Sequence, residues 1–288
     1  MESKQLKWVY LTVLSLIWGS SFILIKKGLL GLSAIQVGSL RIIFASFFLL
    51  LVGFKSLKLI PKFKWKYIAI TAMFGTFFPA FLFAIAQTEL DSSVTSILNS
   101  LTPLNTLAIG ALFFGIGFQK KQFLGVLIGL LGSTLLVYNG AVNNPGQNYY
   151  YALVVILASF CYAINVNLIK RYLFDLSPVS ITTGNFVVLL VPAILILIAS
   201  GFSEQIHMVE TQKAVCFILI LGILGTGIAN ILFFKLIQIA SPVFAASVTY
   251  LIPVIAFFWG LLDNEMLTPV QFFGAFIILI GVYLSAKR

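Results

Sequence analysis

Residues 225–253 read GTGIANILFFKLIQIASPVFAASVTYLIP, and residues 75–103, lying 150 positions earlier, read GTFFPAFLFAIAQTELDSSVTSILNSLTP. Both stretches open on Gly-Thr and close on Leu-x-Pro. Laid side by side without a gap, they agree at Gly75/Gly225, Thr76/Thr226, Leu82/Leu232, Phe83/Phe233, Leu101/Leu251 and Pro103/Pro253. Downstream, after a one-residue slip, Gln122-Phe123-x-Gly125 returns as Gln271-Phe272-x-Gly274, and Gly132 returns as Gly281. Upstream, Leu24-Ile25-Lys26-Lys27 and Leu32-Ser33 return as Leu168-Ile169-Lys170-Arg171 and Leu176-Ser177. One hydrophobic unit of roughly half the chain is therefore written twice, over residues 1–142 and 149–288. The intervening AVNNPGQN, residues 141–148, is a short run of turn formers.

The composition excludes a soluble domain. Such domains are about 45–50% apolar and about 25% charged, whereas this chain is 60% hydrophobic and 9% charged with a mean hydropathy of +1.09. A net charge of +10 does not point to nucleic acid, because the Lys and Arg residues punctuate apolar runs and form no solvated basic face. Cys161 and Cys216 lie in separate apolar runs without a His partner, and read as buried small side chains, neither disulfide nor metal ligands. The first apolar run reads as a retained helix, with no signal-peptide cleavage pattern before a soluble region.

A bilayer-spanning helix takes about 20 mostly apolar residues. Ten such runs are expected, near 7–27, 33–53, 67–88, 92–115, 122–140, 150–171, 177–200, 213–238, 241–262 and 269–286. They are too long and too uniformly apolar for barrel strands. The expected fold is an all-α polytopic membrane protein embedded in a lipid bilayer. Lysine and arginine set its orientation. With the amino terminus inside, the inner loops hold Lys4, Lys7, Lys55, Lys58, Lys62, Lys64, Lys66, Lys120, Lys121, Lys170, Arg171, Lys235, Lys287 and Arg288, against Lys26, Lys27 and Lys213 outside. The acids Glu89, Asp91, Glu204, Glu210, Asp263 and Glu265 fall outside. Both termini are then cytoplasmic. Five spans per unit force the second unit to lie inverted, the plan of many secondary transporters, whose substrate binds where the two units meet.

Several polar groups inside the spans recur at matched positions. Pro103 and Pro253 read as kinks inside the fourth and ninth helices, preceded by Asn99 and by Thr249-Tyr250. At an offset of 144, Trp18 and Ser21 fall on Tyr162 and Asn165, an aromatic and a small polar residue three positions on, sharing one helical face. Each has a plainer reading as helix packing. Asn167, Asn185 and Asn230 are further amides within spans, as fit for helix-to-helix bonding as for a ligand. Arg41, eight residues into the second run, is a candidate charge contact, or alternatively a scaffold group pairing with the outer acids. Gly125-x-x-x-Gly129 reads as close packing within the fold. No Asp or Glu lies deep in a run, and neither a Walker motif nor HExxH nor GxSxG is present, so ATP hydrolysis and zinc or serine chemistry lack support. The candidate substrate-binding set is Trp18, Ser21, Asn99, Tyr162, Asn165, Asn230, Thr249 and Tyr250, with no metal ligands, no cofactor and no catalytic residue.

The ten runs, the Ile17-Trp18-Gly19-Ser20-Ser21-Phe22 start, the Leu40-Arg41 pair, and Ala245-Ala246-Ser247-x-x-Tyr250-Leu251-Ile252-Pro253 followed by Glu265 and Gln271-x-x-Gly274 resemble the EamA family of the drug/metabolite transporter superfamily. The resemblance implies a secondary carrier that exports amino acids or other small metabolites, with room for a coupling ion, a proton or sodium, and with monomer and dimer both compatible. It also implies an acid about a dozen residues after each proline; here Gly115 stands at the position matching Glu265, which favours a capping or interface role for that glutamate. Two other readings remain: a multidrug or quaternary-amine exporter, and a membrane-embedded enzyme or accessory protein for lipid-linked substrates. A passive channel is disfavoured by the lack of a charged ring or filter sequence.

Overall fold

A computed structural model describes residues 3–115, 120–143, 146, 148–265 and 268–286. The linker residues Asn144, Pro145 and Gln147, and Lys287 and Arg288, used above for orientation, lie outside the described residues. Among the described residues there is no strand. The described residues form ten long helical runs: α1 Ser3–Leu29, α2 Ala34–Gly53, α3 Lys62–Ala86, α4 Ser92–Phe114, α5 Lys120–Asn143, α6 Ala152–Tyr172, α7 Pro178–Ala199, α8 Val209–Ile239, α9 Pro242–Leu262 and α10 Pro269–Ala286. Eight of them, all but α5 and α10, contain stretches long and apolar enough to cross a membrane, and Phe272–Gly281 in α10 is a shorter apolar helix. Leu51, Leu112, Val191, Leu195, Phe258 and Phe273 are exposed on the outside. In water so apolar an exterior would drive aggregation; against acyl chains it is solvated. The protein is a multi-pass cell-membrane protein.

Local signals explain why helices begin and break where they do. Ser33 caps α2 with a reciprocal Gln36 bond, and Ser177 caps α7 by accepting from the Ser180 N–H, so the matched Leu-Ser pairs mark two helix starts. In α3 a π-helical segment, Met73–Phe77, comes just before Pro79, which cannot donate back to Gly75. α8 carries a longer one, Leu221–Ile228, where Thr226 Oγ1 donates to Leu221 O at 3.1 Å. Both contain the Gly-Thr pair that opens the duplicated stretch.

α4 and α9 correct one expectation. Pro103 and Pro253 do not kink continuous helices. α4 stops at Asn99, turns through the short bonds Ser100 N–H to Ile97 O and Leu101 N–H to Leu98 O, and restarts at Thr102. α9 passes through a 3₁₀ segment, Ser247–Tyr250, and restarts at Ile252. Each proline is the second residue of the new helix, where an N–H would have no helical partner and a fixed φ suits the backbone.

α5 and α10 pack backbone to backbone. A Cβ on Gly281 would strike the backbone of Gly125 and Gly129, and one on Gly132 would lie 2.8 Å from Gly274 O. Gly125-x-x-x-Gly129 thus serves contact within the fold. Ion pairs tie the two ends of the bundle. At one end Lys64 meets Asp175. At the other, Lys26 meets Asp263 at 2.8 Å and Glu265 at 2.9 Å, and Lys27 meets Asp263. Both cysteines are free, but only Cys161 is buried; Cys216 is exposed on α8, contrary to expectation.

Candidate functional site

Seven helices, α1 to α4, α6, α8 and α9, enclose a cavity. The space open to the centre of a water molecule is about 60 Å³, and one water takes about 10–15 Å³ by that measure, so it suits a few waters or one small solute. From the expected set, Trp18, Ser21, Asn99, Tyr162, Asn165, Asn230 and Thr249 line it, as does Arg41. Tyr250 does not, and packs instead among the core side chains around α1 and α4. The reason is local. In the 3₁₀ segment three residues make one turn, which puts Ala246, Thr249 and Ile252 on the cavity face and turns Tyr250 away.

Thr76, Thr226, Phe83 and Phe233 also line the cavity and were missed, although the duplicated stretch names all four. They interlock crosswise. Trp18 meets Phe233 edge to face at 4.9 Å, and its matched residue Tyr162 stacks on Phe83, the match of Phe233, at 5.8 Å. The same exchange governs the glycines. A Cβ on Gly75 would fall 2.5 Å from Asn165 Cγ, and one on Gly225 would fall 2.7 Å from Ser21 Oγ, where Ser21 and Asn165 are themselves matched. Trp18 Nε1 donates to Gly225 O at 2.9 Å and so satisfies a carbonyl of the π-helical segment.

Other polar groups serve the scaffold. Asn167 donates to Thr106 O and Ala163 O at 3.0 and 2.9 Å, and Asn185 pairs its amide with Thr71 Oγ1 at 3.1 Å. Thr102 Oγ1 bonds Asn99 O at 2.7 Å across the break in α4. Two lining residues hold a buried polar atom without a hydrogen-bond partner: Thr76 Oγ1 and Asn165 Oδ1. Thr226 differs from its match Thr76 because Arg41 Nε donates to Thr226 Oγ1 at 2.7 Å. The residue matching Arg41 is Asn185, whose shorter side chain bonds Thr71, and Thr76 is left alone.

Arg41 does not pair with the outer acids. Lys26 and Lys27 already hold Asp263 and Glu265, and Glu265 also accepts from Ser92 N–H at 3.1 Å, Ser93 N–H at 3.0 Å and both serine hydroxyls. It caps the amino terminus of α4 from the loop that follows α9. Burial pushes the Glu265 carboxyl up, but these donors and Lys26 outweigh it and hold it below its ordinary value. No acid is among the residues lining the cavity, and no group of His, Cys, Asp or Glu suited to a metal occurs among the described residues.

The model of the EamA-like transporter family matches twice, over residues 6–138 and 150–287. The chain belongs to the EamA-like transporter family. Among related proteins, the uncharacterized inner membrane transporter YedA of Escherichia coli (strain K12) is 25% identical over 95% of this chain and 88% of its own length. A probable amino-acid metabolite efflux pump of the same strain is 23% identical over 93% of this chain and 91% of its own. A solved crystal structure, 15% identical, superposes with a TM-score of 0.69 over 96% of this chain and 94% of that one, a likeness of fold. Within this EamA-like protein the family's second-half pattern from Ala245 to Pro253 forms the 3₁₀ segment and restart of α9. This EamA-like chain is a membrane transporter with a small-molecule substrate.

Proposed function

We propose that this transporter is a secondary carrier that exports a small polar metabolite, an amino acid or close relative, by alternating access between two inverted five-helix units. The crosswise contacts carry the reading. Trp18 with Phe233, Tyr162 with Phe83, Ser21 with Gly225 and Asn165 with Gly75 join the two units around one cavity, as expected where inverted units meet at a substrate site. The lining favours a neutral, zwitterionic or weakly anionic solute. It offers hydroxyls, amides and aromatic rings, one guanidinium and no carboxylate. Four aromatics could cage a quaternary ammonium, but Arg41 in the same cavity opposes it. Trp18, Ser21, Asn99, Tyr162, Asn165, Asn230 and Thr249 form the proposed contact set, both termini are cytoplasmic, and the coupling ion is a proton or sodium.

The name of the efflux-pump relative agrees with this substrate class. Proteoliposome counterflow tests it. Vesicles loaded with unlabelled amino acid should accumulate the labelled amino acid transiently, whereas a labelled quaternary amine should not exchange. Exchange of the amine alone would overturn the reading.

A further inference from the structure

We propose that Arg41 is a carboxylate anchor, and that the solute of this cavity is a small monocarboxylate whose apolar body lies between the two crossed aromatic pairs. The proposal rests on the carrier reading above and deepens it at the same cavity.

Arg41 is 8% exposed and lies in the cavity wall. Among the described residues no carboxylate is within ion-pairing distance of it; its neighbours there are the hydroxyls of Thr226 and Tyr162. A hydroxyl can orient a guanidinium but cannot neutralise it. A buried cation is ordinarily matched by an anion, and within a membrane its cost is high. Of the outer acids, Asp263 and Glu265 are committed elsewhere, to Lys26 and Lys27 and to the cap of α4. The Nε–H bond to Thr226 fixes the plane of the group from the side. Its remaining N–H donors sit on the two terminal nitrogens, with the Tyr162 hydroxyl as a neighbour, and form the fork that a carboxylate matches with two parallel bonds.

The rest of the lining sets the other half of the ligand. The aromatic pairs Trp18–Phe233 and Tyr162–Phe83 stand in the same cavity and suit an apolar or aromatic body. Asn165 Oδ1 and Thr76 Oγ1, both without a partner, are acceptors for an N–H should the solute carry one. An amine is thereby accommodated but not required. A purely cationic solute is repelled.

The test uses full-length protein in detergent and four probes of one shape: 3-phenylpropionate, L-phenylalanine, 3-phenylpropanamide and phenethylamine, each titrated while Tm is followed. A ligand raises Tm according to its occupancy. Both acids should stabilise the protein, with the neutral amide at least tenfold weaker and phenethylamine weaker still. Arg41→Gln should bring the acids down to the level of the amide, and Arg41→Lys should keep part of the preference. A structural role would not move the acid-to-amide ratio. Should the glutamine variant not fold, Thr226→Val replaces it, with acid binding falling several-fold and amide binding unchanged. An amide that binds as tightly as the acid, an acid preference that survives Arg41→Gln, or no shift from either acid at millimolar concentration would overturn the proposal. Counterflow separates this from the carrier reading. Exchange of a neutral solute that persists in Arg41→Gln vesicles removes the anchor and keeps the carrier. An Arg41-dependent acid preference without exchange of any probe removes the carrier and keeps the anchor.

Discussion

Glu265→Ala removes one carboxylate and with it a partner of five groups. Ser92 and Ser93 lose the acceptor for their backbone N–H groups and hydroxyls, and Lys26 loses a charge at 2.9 Å. The site is closed, Glu265 being 6% exposed, so water does not simply take its place. A stranded buried donor costs about 1–3 kcal/mol, and removing one partner of a buried ion pair costs about 3–5 kcal/mol. The hydroxyls can turn to other acceptors, so the whole loss is expected near the lower figure for the pair, about 3 kcal/mol. Glu265→Gln keeps the shape but turns an NH₂ toward donors and should lose about half of that. Acid dependence gives a second reading. The folded-state carboxyl is held below its ordinary value, so its contribution is fully present above the unfolded pKa and is lost as pH falls through the folded one. Unfolding in detergent, followed by circular dichroism from pH 7 down to pH 3, should show the wild-type advantage over the glutamine variant shrinking across the lower part of that range. An alanine variant as stable as wild type at pH 7, or a glutamine variant with the same acid dependence, would refute the cap.

Gly75→Ala and Gly225→Ala should each cost about 1–3 kcal/mol, the usual range for overpacking, and slow counterflow, since each new methyl meets Asn165 or Ser21 across the cavity. Gly146→Ala, with nothing within 4 Å, should change stability by less than about 0.5 kcal/mol and serves as the control. For topology, single cysteines at positions 58 and 146, in a chain with Cys161 and Cys216 replaced, should label from opposite faces of intact cells; labelling from one face would end the inverted arrangement.

The fold was legible because hydropathy in long runs has one physical solution; Ser33 and Ser177 showed in the sequence only as a repeated Leu-Ser pair, and the structure makes them helix caps. The cavity was legible wherever helical spacing held, as for Trp18 with Ser21 and Tyr162 with Asn165. It failed where the backbone left α geometry. A 3₁₀ turn took Tyr250 off the face that its spacing implied, and the π-helical segments carried Thr76 and Thr226 into the lining, where only the duplication of Gly-Thr hinted at them. Pro103 and Pro253 were placed correctly but given the wrong local role, because a proline inside an apolar run looks the same whether it bends a helix or begins one. For Arg41 the sequence left two readings open, a charge contact or a partner of the outer acids, for a different reason: which lysines had already claimed Asp263 and Glu265 is a tertiary fact.

The crossed contacts also bear on how such a chain can change over generations. Gly75 sets the room available to Asn165, and Gly225 sets the room available to Ser21, so neither half is free to drift by itself. A larger residue arriving at one glycine survives only if a smaller one arrives in the opposite half. Across divergent descendants, positions 75 and 165 should vary together, as should 21 and 225, while the matched positions 75 and 225 need not. The two halves are alike in sequence, but it is contact, not likeness, that decides which substitutions must be inherited as a pair.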